Sequence, residues 1–292
     1  MNERPKPAVV VVGSLHYDIM VDAPDRPMKG ETVTGHAWRP KFGGKGGNQA
    51  VAAARSGAEV RMIGAVGDDD FGHFLLSRLA DGGVDGSRIA RLPEAASGMS
   101  VAISDAGGDY GAVIVSGANL LIDPHTVLDP ALWAGAGVLI LQNEVADALN
   151  VAAAQAARHC GAMVCFNAAP CRELPEALRS LVDVLIVNAL EAEQLCGVEV
   201  VDLPSAAHAA ETLCRTFPSV VVTAGGDGVA GCRHGQKAIQ IPPLPVDLVS
   251  THGAGDVFVG TLAAALAAGE TLEAALKNAN IAAARHVSTR QQ

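Results

Sequence analysis

Ala8-Val9-Val10-Val11-Val12-Gly13 is a run of five apolar residues, four of them β-branched, closed by glycine. A run that short and that uniformly apolar reads as a strand buried on both faces. Working outward, the same signature returns at 60–66, 138–142, 163–167, 182–188 and 220–224. Between these runs lie helical stretches: 48–56 with Gly57 as its stop, 71–80 closed by Gly82-Gly83, and the alanine-rich 145–159 and 205–216. Two further helices, 254–268 and 272–287, follow the last strand. Strands alternating with helices predict an α/β fold with a mainly parallel sheet and helices on both faces.

Two stretches break that rhythm. Residues 19–42 contain Pro24, Pro27 and Gly30 and then alternate over 31–38; residues 99–115 read as a hairpin turning at Ala106-Gly107-Gly108-Asp109. Both predict half-buried antiparallel strands, in a small sheet that projects as a lid or in an extended edge of the main sheet. There is no internal repeat, low-complexity tract or long linker.

Composition narrows the partners. The 292 residues suffice for one large α/β domain or two modest ones. Hydrophobic residues make up 49% but aromatics only 3%, so the core is Ala, Val, Leu and Ile. The 21 Lys and Arg are scattered against 31 Asp and Glu, a net charge of −10; with no basic stripe to neutralise phosphates, nucleic acid is not an expected partner. The six cysteines show neither C-x-x-C pairs nor zinc spacing, which fits reduced thiols in the cytoplasm. The polar first seven residues and the short run at 8–12 suit neither a signal peptide nor a membrane span.

Chemistry concentrates at the strand ends. In Ser250-Thr251-His252-Gly253-Ala254-Gly255-Asp256, two glycines let successive N–H groups open a helix, an anion hole suited to a transferring phosphoryl group. Asp256, in the first turn, can accept the proton of an attacking hydroxyl; an acidic residue favouring a helix N terminus reads the same way. Phe42-Gly43-Gly44-Lys45-Gly46-Gly47-Asn48-Gln49-Ala50 has four glycines around one lysine, sensible where backbone approaches a ligand, with Lys45 and Asn48 as donors; a flexible turn is the alternative. It fits neither a Walker A loop nor G-x-G-x-x-G. Gly13-Ser14-Leu15-His16-Tyr17-Asp18 and Gln142-Asn143-Glu144 place polar side chains beyond two strand ends, where open α/β sheets bind ligands. Asn188 and Glu191 fit a helix capping box or the outer shell of a hydrated Mg²⁺. Thr223-Ala224-Gly225-Gly226-Asp227-Gly228 fits a nucleotide-side turn or a hairpin into 229–233.

From about Val9 onward the chain resembles ribokinase and its relatives in the PfkB carbohydrate kinase family. The resemblance is carried by Gly43–Ala50 and Gly253–Asp256, with support from Ile63–Asp69, Phe71-Gly72, Gly117-Ala118-Asn119 and the Asn188/Glu191 pair. It implies one ribokinase-like domain over 1–292: a doubly wound sheet with a small antiparallel β lid formed by about 15–42 and 98–117. It implies an ATP-dependent sugar kinase in which Asp256 is the base and the N–H groups of Gly253, Ala254, Gly255 and Asp256 are the anion hole. His16, Asp18, Gly44, Lys45, Asn48 and Glu144 would hold the sugar. Asn188, Thr223, Gly225, Gly228 and Asn280 would face ATP, Glu191 would serve Mg²⁺, and lids of two subunits would clasp as a homodimer.

Departures from the family pattern shape the remaining expectations. His16 stands where ribokinases usually have Asn, which weakens the case for ribose, and Tyr110 replaces a common lid Asn. Ser250 replaces an Asp that helps bind an activating K⁺, and the tail stops at Thr289-Arg290-Gln291-Gln292. The expectation is weak or absent K⁺ activation. A nucleoside kinase of the same family and a non-catalytic sugar- or nucleotide-binding regulator are the rival readings; the absence of G-x-G-x-x-G argues against a dinucleotide enzyme.

Overall fold

The computed structural model describes residues 8–105 and 110–289; the turn predicted at 106–109, the Tyr110 side chain and the tail from residue 290 lie outside the described residues. In chain order the strands are β1 (Ala8–Val12), β2 (His16–Asp22), β3 (Ala37–Gly43), β4 (Glu59–Gly67), β5 (Asp85–Leu92), β6 (Met99–Ser104), β7 (Tyr110–Val115), β8 (Ala136–Gln142), β9 (Met163–Asn167), β10 (Val184–Asn188), β11 (Ser219–Thr223), β12 (Val229–Arg233) and β13 (Ile239–Ile241). The helices are α1 (Lys45–Arg55), α2 (Asp70–Asp81), α3 (Asp147–His159), α4 (Glu176–Arg179), α5 (Ala189–Cys196), α6 (Leu203–Leu213), α7 (Ala254–Ala267) and α8 (Leu272–Val287).

The main sheet has the order β13-β12-β11-β10-β9-β8-β1-β4-β5. It is parallel from β11 to β5, and β12 and β13 finish one edge as an antiparallel meander. Strand periodicity divides the core in two. Val9 and Val11 face α1, α7 and α8 with Ala50, Leu262 and Leu276, while Val10 and Val12 face α3 and α6 with Leu149 and Leu213. From β1 the chain builds β4 and β5 on one side, and it later returns to lay β8 on the other. The carboxyl ends of β1 and β8 therefore flank a topological switch point, where a parallel sheet opens a crevice.

The lid sheet has the order β3-β2-β6-β7. Its two outer pairings are antiparallel, and the central one, β2 with β6, is parallel. Several motifs behind the family resemblance fasten the base of this lid. Asn119 bonds both the N–H and the C=O of Leu15, each at 2.9 Å. Ser97 Oγ donates to Asp69 Oδ1 at 2.6 Å and accepts the Gly67 N–H at 2.9 Å. Tyr17 stacks on Phe71 with ring centroids 4.0 Å apart and meets Phe74 edge-on.

Two boundaries correct the sequence reading. Helix α1 begins at Lys45, not Asn48, and takes in Gly46 and Gly47, which are poor helix formers by themselves. Strand β5 was not expected, because only Ile89 of its eight residues is buried at the sheet edge.

Candidate active site

The N terminus of α1 lies in the switch-point crevice. Gly44, with φ +85°, turns the chain from β3 into the helix. The Lys45 N–H donates to Glu144 Oε2 at 2.9 Å, and Ser14 Oγ donates to the same oxygen. The Gly47 N–H bonds the Ser14 carbonyl at 2.9 Å. A carboxylate from the β8 end thus closes the positive end of this helix. The glycines serve that closure: a Cβ on Gly44 would lie 2.7 Å from Leu15 Cα, one on Gly46 2.6 Å from Gly13 C, and one on Gly47 2.7 Å from the Leu15 side chain. These glycines are needed for the chain's contact with itself, since an added Cβ at each would meet backbone or side chains of the protein.

The N terminus of α7 is arranged differently. Gly253, with φ +83°, is its N-cap, and no side chain caps it. A Cβ on Gly255 would meet nothing within 4 Å. Ala254 N–H reaches Thr251 O at a long 3.3 Å, and the Gly255 and Asp256 N–H groups have no partner among the described residues. The helix is buried over most of its length, which fixes this end in direction.

Asp256 stands in the first turn of α7, half-buried between the two helix ends. Gln49 Nε2 donates to its Oδ1 at 2.9 Å, and Asn48 Nδ2 approaches Oδ2 at 3.4 Å. Burial pushes its carboxyl up to about 6; Lys45 and the two amide donors oppose the rise, and Glu144 adds to it. A carboxylate of that kind is a base near neutral pH that still needs no strong base to regenerate it.

The lid completes the polar wall. Asp18 is buried, accepts a 2.6 Å bond from Ser100 Oγ, and is raised above the ordinary carboxylate range by burial, with His16 and Lys41 opposing. His16 is also buried, and its Nε2 has no hydrogen-bond partner among the described residues. A Cβ on Gly43 would collide with the Asp18 carboxylate, so Gly43 is what lets that group lean toward the α1 end. His16, Asp18, Gly44, Lys45, Asn48, Glu144 and Asp256 are thereby brought around one crevice.

The nucleotide-side candidates lie further along the same edge. Asn188 and Glu191 form a reciprocal capping box on α5, each bond 2.9 Å. Glu191 is buried and raised by burial, with the Asn188 N–H and Lys45 opposing, so it sits within electrostatic reach of the crevice. The Thr223–Gly228 turn is the hairpin between β11 and β12; Thr223 Oγ1 leans on Val187 O at 3.4 Å. Gly228, at φ +107°, leaves room for the Ile241 carbonyl, whereas Gly225 faces open space. Asn280 on α8 donates to Pro242 O at 2.9 Å and so holds the segment after β13. None of these six hydrogen-bonds Asp256, whose side-chain partners are Asn48 and Gln49.

Ser250 and its neighbours form the approach to α7. The Val249 and Ser250 N–H groups bond Val287 O of α8, and Ser250 Oγ accepts the His252 N–H at 3.3 Å. Burial drives His252 down to about 4, helped by Lys41, Lys45 and His286.

Three residues of this site were not singled out from sequence. Gln49 was quoted in its motif, yet only the packing of α1 on α7 shows that it grips Asp256. Ser14 is the link between Glu144 and the α1 backbone. Lys41 carries no local sequence signal, and only strand register sets it opposite Asp18.

Comparison with known proteins agrees with this geometry. Residues 6–291 match the pfkB family carbohydrate kinase model. The chain is 34% identical over 282 residues to ribokinase of Haemophilus influenzae, covering 96% of this chain and 92% of that one. It is 36% identical over 288 residues to mouse ribokinase, covering 97% and 89%. Arabidopsis thaliana ribokinase complexed with ribose and ATP superposes with a TM-score of 0.90 at 28% identity, covering 98% of this chain and 94% of that one.

Proposed function

The chain belongs to the pfkB family of carbohydrate kinases and is an ATP-dependent sugar kinase, and on that premise we propose that its acceptor is ribose or a closely related small sugar, activated by Asp256. The acceptor hydroxyl gives its proton to the Asp256 carboxylate while its oxygen bonds the γ-phosphorus of ATP. The bond from that phosphorus to the β-phosphate oxygen breaks, and ADP leaves. The observation that carries this reading is a half-buried carboxylate, raised to about 6, beside helix N–H groups that no protein group fills.

Each neighbour has a part. The N–H groups of Gly253 to Asp256 offset charge that develops on the phosphoryl oxygens. Asn48 and Gln49 fix the carboxylate. Asp18, Lys45, Glu144, the Gly44 backbone and the unpartnered His16 ring nitrogen supply the donors and acceptors that orient a polyol, so that one oxygen lies in line. Asn188, Thr223, Gly225, Gly228 and Asn280 form the nucleotide side. No group of three His, Cys, Asp or Glu able to hold a metal occurs among the described residues. Mg²⁺ suits this site as a hydrated ion carried on the nucleotide, with Glu191, which gives only Oε2 to the cap, as its outer-shell partner; it would neutralise phosphate charge.

The proposal extends to assembly and setting. Odd-numbered β2 residues and their register partners give one apolar lid face, with Val113 and Trp38 68% and 64% exposed, and a second copy's lid would cover it. Six free thiols suit a cytoplasmic setting.

The test is ADP release across ribose, deoxyribose, fructose and nucleosides. Turnover highest with ribose or deoxyribose supports the reading. Turnover highest with nucleosides moves the acceptor class, and ADP release with none of them leaves a binding protein.

A further inference from the structure

The lid carries a cation that this reading leaves unused. Lys41 of β3 lies directly opposite Asp18 of β2, so the two side chains project from one face of the lid sheet. That is the face on which Ser100 bonds Asp18. Lys41 also lines a cleft of about 1070 Å³ together with Asn48, His252 and Gly253. Gly253 is the N-cap of α7, so the lid cation and the first residue of that helix end border the same space, which continues past Arg55 and Arg285 and does not reach Asp256; Asp256 acts on Lys41 through its charge.

The half-buried Lys41 side chain forms no ion pair or hydrogen bond among the described residues. Burial lowers its pKa, and the charges that act on it are Asp18, Arg39 and Asp256. An ammonium withdrawn from water without a partner is unfavourable until an anion joins it. Two anions could do so. Both would lie near Asp256, but a carboxylate on the acceptor would also meet Asp18 and Glu144. A phosphoryl group at the α7 end meets amide hydrogens and Lys45 in their place, and that is the anion this charge pattern favours.

We propose that Lys41 contacts the phosphoryl group in transfer, reaching from the lid to the γ-phosphoryl oxygens held at the N terminus of α7. The inference rests on the kinase reading with Asp256 as base. In the step, the acceptor oxygen–phosphorus bond forms, the bond from phosphorus to the β-phosphate oxygen breaks, the hydroxyl proton passes to Asp256, and ADP departs with the electron pair. Lys41 transfers no proton. It offsets phosphoryl charge, and because it sits on β3 it does so only with the lid in place.

The test compares wild type with Lys41→Met, Lys41→Gln and Lys41→Arg. Four quantities are measured: ADP-release kcat, KM for sugar and ATP, sugar affinity without nucleotide, and affinities for AMP-PNP and ADP with sugar present. The methionine and glutamine variants should keep the melting temperature and the sugar affinity while kcat falls about 10²-fold. They should lose their preference for AMP-PNP over ADP, and Lys41→Arg should recover part of both. Unchanged kcat with an unchanged AMP-PNP preference overturns the inference, and so does a loss confined to sugar affinity, which would make Lys41 a partner of Asp18 alone. Should wild type release no ADP with any acceptor, the Asp256 reading fails; the AMP-PNP preference still decides the role of Lys41.

Discussion

The N termini of α1 and α7 both begin in glycine-rich sequence and lie side by side, but only one of them is filled. At α1 the chain supplies its own anion, Glu144, and packs every added Cβ position with backbone or side chain. At α7 no side chain caps the helix, and the space beside Gly255 is empty. Glycine therefore has two meanings a few ångströms apart: at α1 it lets the protein touch itself, and at α7 it leaves room for something else. The difference also orders the chemistry. The closed end is a rigid platform that presents Asn48 and Gln49, and the open end carries the group they hold, Asp256.

The contrast can be broken most severely at Gly46. Its added methyl would sit 2.6 Å from Gly13 C and Ser14 N, backbone atoms at the end of β1. Gly46→Ala should lower stability by about 1–3 kcal/mol, measured by denaturant unfolding. A variant as stable as wild type would mean that the α1 end is not closed.

Next in size is a pH effect at the open end. The folded pKa of Asp256 lies near 6, above the ordinary aspartate value of 3.8, because burial favours the protonated form. Its contribution to stability is therefore complete below 3.8 and is lost as pH rises through about 6. The melting temperature of Asp256→Asn minus that of wild type should be more positive at about pH 8 than at about pH 5. Wild-type kcat/KM should rise through the same range, since the base must be ionised. A difference in melting temperature that does not change with pH would place Asp256 in contact with solvent.

Gly255→Ala sharpens the contrast from the other side. Its methyl meets nothing, so unfolding should show no loss of stability and up to about 1 kcal/mol of gain from helix propensity. Turnover should fall, because the methyl occupies space meant for the phosphoryl group. A marked loss of stability would show that the α7 end is filled after all. The smallest effect expected is that of K⁺: with Ser250 shaping the loop before α7, replacing K⁺ by a choline salt should change turnover little, and a many-fold drop would contradict this.

The two helix ends also explain what could be read from sequence. Burial on both faces makes β1, β8, β9, β10 and β11 legible as apolar runs, and α8 was located to the residue. Edge position hid β5, whose residues face water on most sides. The placement of Asp256 and Lys45 beside the crevice was legible because glycine-rich local sequence surrounds them, and that of Glu144 because it follows a strand end. Gln49 and Lys41 were not: the role of each depends on a partner more than twenty residues away, Asp256 for one and Asp18 for the other. Likewise the start of α1 escaped notice because Glu144, 99 residues distant, stabilises two glycines as helix.

The central claim is that the carboxylate at the open helix end removes the proton of the acceptor. The most direct measurement is the kcat for ADP release by Asp256→Asn with the best acceptor, alongside its melting curve. The account predicts a folded protein whose kcat has fallen about 10²-fold or more. A folded variant that turns over at the wild-type rate would contradict it.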